Sequence, residues 1–215
     1  MEHSVTMEQR TQAATANENL RGAQRFTLLI RTAKLVCESG EFLCVIRDVS
    51  ETGLRLKLFH HLPQDRHLAL ELANGEVYFV EKVWERDGHA GFRFAAPIDV
   101  QGFIAEVSPF PRRQVRLRMH EAATVGALGV SADAVIRDLS QRGARIETGR
   151  QLAIGQPVRI EAAGLPSVQA KVAWRNGMMF GLAFVQVFTL DEVARIAALM
   201  QLPGGHGSAL SASCA

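Results

Sequence analysis

Ile136-Arg137-Asp138-Leu139-Ser140-Gln141-Arg142-Gly143-Ala144-Arg145-Ile146 has a near copy ninety positions upstream, Ile46-Arg47-Asp48-Val49-Ser50-Glu51-Thr52-Gly53-Leu54-Arg55-Leu56. Each copy reads as a strand end, a polar turn closed by Gly, and a second alternating strand. Asp and Ser suit the turn because their side chains bond nearby backbone N–H groups. Gly suits its end because it adopts positive φ without steric cost.

The duplication extends beyond the turn. Trp84 maps to Trp174, Gly91 to Gly181 and Phe94 to Phe184, all at the offset that relates Asp48 to Asp138. The Arg pairs Arg21/Arg25 and Arg112/Arg116 match at ninety-one, which implies a one-residue length change in the intervening strand and loop. A constant offset across separated features identifies two tandem copies of one fold.

Short β-like runs fill each copy. In the first they are Phe26 to Cys37, Phe42 to Val49, Leu54 to Phe59, His67 to Leu72, Val77 to Trp84 and Gly91 to Ala95. Asn74-Gly75 is a strong hairpin signal, and Asp87-Gly88 marks another turn. Six strands at this spacing predict a small antiparallel barrel or sandwich. Residues 97–111, with Pro97, Pro109 and Pro111, predict a short helix and a linker. The second copy repeats the series from Ala122 to Val185. Thr189 is placed to cap a helix from Leu190 to Gln201, whose apolar spacing gives one face to pack on a barrel. The expected boundaries are a flexible tail over 1–20, domains over 21–108 and 109–201, and a disordered Gly/Ser/Ala-rich tail over 202–215.

With 215 residues, 47% hydrophobic and 21% charged, the composition is globular, and the length suits two domains of about 100 residues. The net charge of +2 conceals an asymmetry. Residues 1–110 hold 12 Lys+Arg against 15 Asp+Glu, net −3; residues 111–215 hold 12 against 7, net +5. The positive half can attract a phosphate ligand, but it is too weakly basic to imply nucleic acid. Cys37, Cys44 and Cys214 have no metal-ligand spacing, so no metal and no disulfide framework is expected. No apolar leader core or membrane span is read, and the expected location is cytoplasmic.

Arg at i and i+4 before a barrel suits a phosphate or a guanine edge, because guanidinium donates bidentately to either. Asp accepts from ring N–H and amino donors, and Ser adds a small donor and acceptor. The order RxxxR, then DxSxxG some 22 residues on, occurs twice. It resembles the PilZ family, over about residues 21–96 and 112–201. The resemblance implies a mainly β protein: two tandem six-stranded antiparallel PilZ-like β-barrels, with a C-terminal helix after the second. It also implies binding of cyclic di-GMP, with Arg112, Arg113, Arg116, Asp138, Ser140, Gly143 and Arg145 as ligand residues. Arg21, Arg25, Asp48, Ser50 and Gly53 form the corresponding first-copy set. The first copy has one Arg where the second has Arg112-Arg113, and it lies in the acidic half, so the second is expected to bind more tightly.

The implied function is a cyclic di-GMP effector that changes domain orientation, acting in motility, biofilm or exopolysaccharide control through a protein target or self-association. The alternative is a ligand-free PilZ-like interaction or dimerisation module. A nucleic-acid-binding barrel is disfavoured because no aromatic platform stands out. An enzyme is disfavoured because Ser50 and Ser140 lack a repeated His partner, and His60-His61 have no third ligand. No cofactor is expected beyond the ligand. Trp84 and Trp174 are read as core or barrel-end packing. Arg112 to Arg118 are read as an unheld linker between barrels that fold alone, which a dianionic ligand would order.

Overall fold

The computed structural model describes residues 26–65, 67–105 and 114–202. Arg21, Arg25, Arg112, Arg113, Cys214 and the expected tails, save Leu202, lie outside the described residues. The first copy contains β1 (Phe26–Cys37), β2 (Gly40–Val49), β3 (Gly53–Lys57), β4 (Leu68–Glu71), β5 (Val77–Arg86), β6 (His89–Phe94) and α1 (Val100–Ala105). The second contains β7 (Leu117–Ala127), β8 (Val130–Ser140), β9 (Gly143–Glu147), β10 (Pro157–Ala162), β11 (Leu165–Asn176), β12 (Met179–Phe184) and α2 (Leu190–Gln201). Each set of six strands closes into an antiparallel barrel, ordered β1-β2-β3-β6-β5-β4 and β7-β8-β9-β12-β11-β10.

The turns follow local chemistry. Asp87 (φ 51) and Gly88 (φ 68) both lie in the left-handed region, as a two-residue hairpin joining right-twisted strands requires. Asn74 Oδ1 accepts from the Glu76 N–H at 3.0 Å, closing the turn before β5. Thr189 and Glu192 form a reciprocal capping box at the start of α2. Small aliphatic side chains fill both barrels: Leu35, Ile46, Leu56 and Leu70 in the first, Val125, Ile136, Ile146 and Ile160 in the second. Tyr78, Phe94 and the α1 residue Phe103 meet edge to face at the end of the first barrel.

The one-residue difference between the copies sits in a bulge of the first strand. Thr27 faces Asp48 just as Arg118 faces Asp138. Pairing resumes at Arg31–Ile46 and at Glu121–Ile136. Residues 28–30 therefore oppose Arg47 alone, whereas only Met119 and His120 oppose Arg137. This bulge also explains why β7 begins at Leu117 rather than Ala122. Its first stretch keeps one deeply buried residue, Leu117, followed by only half-buried Met119 and Glu121, so too few apolar positions mark it as a strand.

The barrels are not independent units. Leu43 of β2 belongs to the second barrel's buried cluster, and Phe59 packs against it. Glu41, 6% exposed, is the polar centre of the joint. Its carboxylate accepts from Lys34 Nζ at 3.0 Å, from the Arg118 backbone N–H at 2.8 Å and from Arg118 Nε at 2.5 Å. Glu71 pairs with Lys34 at 2.9 Å and with Arg118 at 3.4 Å. The Gln201 side-chain amide then bonds both backbone groups of Glu41, at 3.0 and 2.9 Å. Bonded to Glu41, the Arg118 guanidinium is held above its ordinary pKa. The expected unheld linker is thus corrected at its C-terminal end: Leu117 and Arg118 belong to a strand that is bolted to the first barrel.

Glu41→Ala would leave Lys34, itself buried, with Glu71 alone and would strip Arg118 of its main partner. Removing one member of a buried pair costs about 3–5 kcal/mol. Because Glu71 remains, a loss of about 2–3 kcal/mol is expected. Urea unfolding is expected to separate into two transitions in this variant and to stay a single one in the wild type.

Candidate functional site

Two side chains of the repeated turn have divided its work. Ser140 Oγ donates to the Gly143 carbonyl at 3.1 Å, and Ser50 Oγ does the same to Gly53 at 3.1 Å. The hydroxyls therefore brace the turns, with Ser140 only 2% exposed. The Asp side chains do not bond the turn backbone as expected; they reach sideways to Arg. Asp138 Oδ1 accepts from Arg116 Nη1 at 3.0 Å, and Asp138 Oδ2 lies 2.7 Å from Arg145 Nε. In the first copy Asp48 pairs with Arg55 at 2.5 Å.

Gly143 and Gly53 are required for a different reason from the one expected. Neither is among the residues of positive φ. A Cβ on Gly143 would come 2.1 Å from the Leu182 carbonyl oxygen, and one on Gly53 would come 2.6 Å from the Phe92 carbonyl oxygen. The turn must lie flat against the neighbouring strand, and a hydrogen at Cα is what permits it.

Around Asp138 lies an open cavity of about 630 Å³, walled by Arg116, Ser140, Arg142, Arg145, Trp174 and Gly181 among others. Asp138 is 5% exposed, while the Arg116 and Arg145 side chains are 55% and 39% exposed. The acid is thus the buried pivot, and the guanidiniums are the accessible groups. Arg145 Nε is buried without an aligned hydrogen-bond acceptor, so its contact with Asp138 is an ion pair rather than a directed bond. Such a site can give an anion two guanidiniums whose charge is only partly balanced, beside an aromatic face.

Of the two alternatives read for the tryptophans, core or barrel-end packing, Trp174 excludes the first. It is 40% exposed, and Trp84 is 37% exposed. Each indole lies against a glycine: a Cβ on Gly181 or Gly91 would come within 2.0 Å of Nε1. The shared Trp and Gly offsets were the signal that could have placed both on the cavity wall. Arg142 was also missed, since a turn residue beside Gly carries no periodic mark. Phe79, 69% exposed on β5, adds an open aromatic surface, which bears on the aromatic half of the sequence argument against nucleic acid and leaves the weak net charge of +2 as the other half. Of the expected ligand residues, the structure brings together Arg116, Asp138, Ser140, Gly143 and Arg145. Asp48, Ser50 and Gly53 take the corresponding places on the first barrel. No group of three or more potential metal ligands occurs among the described residues, and no helix there is long and apolar enough to cross a membrane.

The second unit is thus a six-stranded barrel with a braced Asp-x-Ser-x-x-Gly turn and a guanidinium pair on its Asp. Residues 111–202 match the family model described as PilZ domain. The first barrel shares its strand order and turn but lies outside the match. No curated protein matches the sequence. Among solved structures, the chain is similar to PlzA of Borreliella burgdorferi in complex with c-di-GMP, at 12% identity over 87% of this chain and 99% of that chain, TM-score 0.35. It is similar to the inhibitor of motility MotI/DgrA of Bacillus subtilis, at 12% over 79% and 94%, TM-score 0.34. A MrkH–c-di-GMP complex from K. pneumonia aligns at 14% over 85% and 88%, TM-score 0.33.

Gly181→Ala is expected to push Trp174 off the barrel face, costing about 1–3 kcal/mol, the usual penalty for overpacking. Tryptophan fluorescence should report a changed indole environment. Gly149→Ala is the control: nothing lies within 4 Å of its Cβ position, and stability should stay within about 0.5 kcal/mol of wild type.

Proposed function

We propose that the protein is a cyclic di-GMP receptor whose main site is on the second barrel. The observation that carries this is the buried Asp138 held between Arg116 and Arg145 at the mouth of an open cavity, within the part of the chain that matches the PilZ domain. In this reading Arg112, Arg113 and Arg116 take the phosphates, and Asp138, Ser140 and Gly143 receive a guanine edge. Because the Ser140 hydroxyl proton is committed to Gly143, Ser140 contributes only its remaining lone pair. Arg145 supports the ligand from the side. Arg21, Arg25, Asp48, Ser50 and Gly53 form the weaker first-barrel set.

The receptor acts as an effector without chemistry of its own, in a bacterial cytoplasm, on motility, biofilm or exopolysaccharide. Its output is a change in barrel orientation. The support for this is covalent proximity: Arg116 holds Asp138, and two residues on, Arg118 holds Glu41 and Glu71 of the first barrel. A phosphate that draws Arg116 from Asp138 pulls on the strand that anchors the joint. This replaces the ordering of a free linker by a shift in a strand already ordered.

Calorimetry with cyclic di-GMP tests the reading. Binding should weaken with salt, since the guanidinium–phosphate contacts are screened. Arg116→Ala or Asp138→Ala should cost about 2–5 kcal/mol of binding and exceed the effect of Asp48→Ala. Absence of heat at high protein and ligand concentration would remove the proposal.

A further inference from the structure

Three loops meet at the end of the second barrel that lies away from its Asp-x-Ser-x-x-Gly turn. They are the β7–β8 turn at Leu128-Gly129, the β9–β10 loop over 148–156 and the β11–β12 turn at Gly177-Met178. Hydrogen bonds tie them together. Arg150 donates to the carbonyls of Val130 and Ala127 at 2.8 and 3.0 Å, and the Thr148 N–H donates to the Met178 carbonyl at 3.0 Å. Each loop turns an apolar side chain to solvent. Leu128 is 89% exposed, and Val130, Ile154 and Met178 are each more than half exposed. The tips stand clear of the barrel: a Cβ added at Gly129, Gly155 or Gly177 would meet nothing within 4 Å.

The fold does not require these residues. At the offset of ninety, Leu128, Val130, Ile154 and Met178 correspond to Glu38, Gly40, Gln64 and Gly88, and the first barrel closes without them. Local preference also opposes Leu128. Its φ of 53 lies in the left-handed region, where a tight turn favours Asn, Asp or Gly, and its exposure forgoes the burial that a Leu side chain normally supplies. An apolar residue held against both preferences at a protruding tip points to a role outside the monomer.

Charge indicates what covers the tips. The three loops contain no Asp or Glu; the exposed Asp133 and Glu161 lie on the strands behind them. Arg150 and Arg175 flank the tips. An open cavity of about 570 Å³ beside Leu128 and Val130 is lined by Arg159 and Lys171. None of these four cations has an ion pair among the described residues. Their counterparts in the first barrel are His60, Glu85, Ala69 and Glu81, so the positive charge and the apolar tips occur together at this end alone.

We infer that this end of the second barrel docks on an anionic lipid surface. Leu128, Val130, Ile154 and Met178 enter the headgroup layer, and the four cations meet lipid phosphates. A fluid interface yields around each separate tip, and each basic side chain near an anionic surface adds attraction. A protein groove would have to match all three tips at once. Arg118 and Asp138 lie toward the other ends of β7 and β8, about 30 Å away along the strands, so the joint and the Asp138 cavity stay in solution. The inference stands whether or not the second barrel binds cyclic di-GMP.

Flotation of the full chain with vesicles tests it. Vesicles of phosphatidylcholine mixed with phosphatidylglycerol should carry the protein, and phosphatidylcholine alone should not. Added salt should release it, because the attraction is screened. Leu128→Ser with Ile154→Ser should weaken partitioning about tenfold or more. Arg159→Gln and Lys171→Gln should weaken it about fivefold each. All four residues are exposed, so thermal unfolding should not move. Leu128→Glu, the residue of the sister turn, keeps the test open if the serine pair fails to fold. No flotation with the anionic vesicles would overturn the assignment, as would flotation unchanged by the tip pair or by both cation substitutions. Sedimentation equilibrium without lipid checks the rival occupant. A wild-type dimer that Leu128→Ser dissociates would also overturn the assignment and give this end to a second copy of the chain.

Discussion

The arrangement of this molecule depends on one buried carboxylate. Glu41 lies at the start of β2, where the β1–β2 hairpin meets the second barrel, and every hydrogen-bonding partner of its side chain is positively charged or a backbone N–H. A lone carboxylate at that depth would be costly, since burial in a low dielectric removes its hydration. Lys34 and Arg118 supply the compensation from two different barrels, so the charge is satisfied only when the barrels are docked. The apolar contact of Leu43 and Phe59 gives area without direction; the charged network sets the angle. Buried ionic groups are well suited to that task, because a misaligned pair leaves charge unsatisfied.

Divergence after duplication explains why this joint exists in one place. Residues 34, 41 and 71 correspond to Thr124, Ser131 and Glu161, so the second barrel lacks the lysine and the central acid. Arg118 corresponds to Thr27, so only the second barrel presents the guanidinium. Identical barrels would offer the same surface at both ends and could continue to associate; these differ in the residues that dock, and one chain closes on itself.

Much of the fold was legible because it is written in periodicities and turn residues. β1 and α2 have the bounds read from the sequence, since Phe26–Cys37 is a run rich in apolar and β-branched residues closed by a polar turn, and Thr189-x-x-Glu192 is a local cap. The tandem repeat was legible as a constant offset, and even its one-residue break could be assigned to a segment. What could not be read were contacts between distant residues. Nothing local marks Glu41 as buried, and Arg118 looks like one more member of a basic run. The site was legible as a residue set, but not in its division of labour. Ser140 braces the turn, Gly143 is required by the Leu182 carbonyl rather than by φ, and Trp174 lies on the surface because Gly181 makes room for its ring.

The contact between Gln201 and Glu41 spans 160 residues. On a ribosome, the first barrel emerges and its strands pair long before the last turn of α2 has been made. Through that interval its β1–β2 hairpin has Leu43 uncovered and Glu41 without Arg118, an apolar and charged edge awaiting its own chain. Long-range closure of this kind slows the final step of folding and prolongs the exposure of sticky surface. A chain interrupted before α2 would therefore leave a barrel that is locally complete and yet adhesive, with the backbone of Glu41 lacking the amide of Gln201.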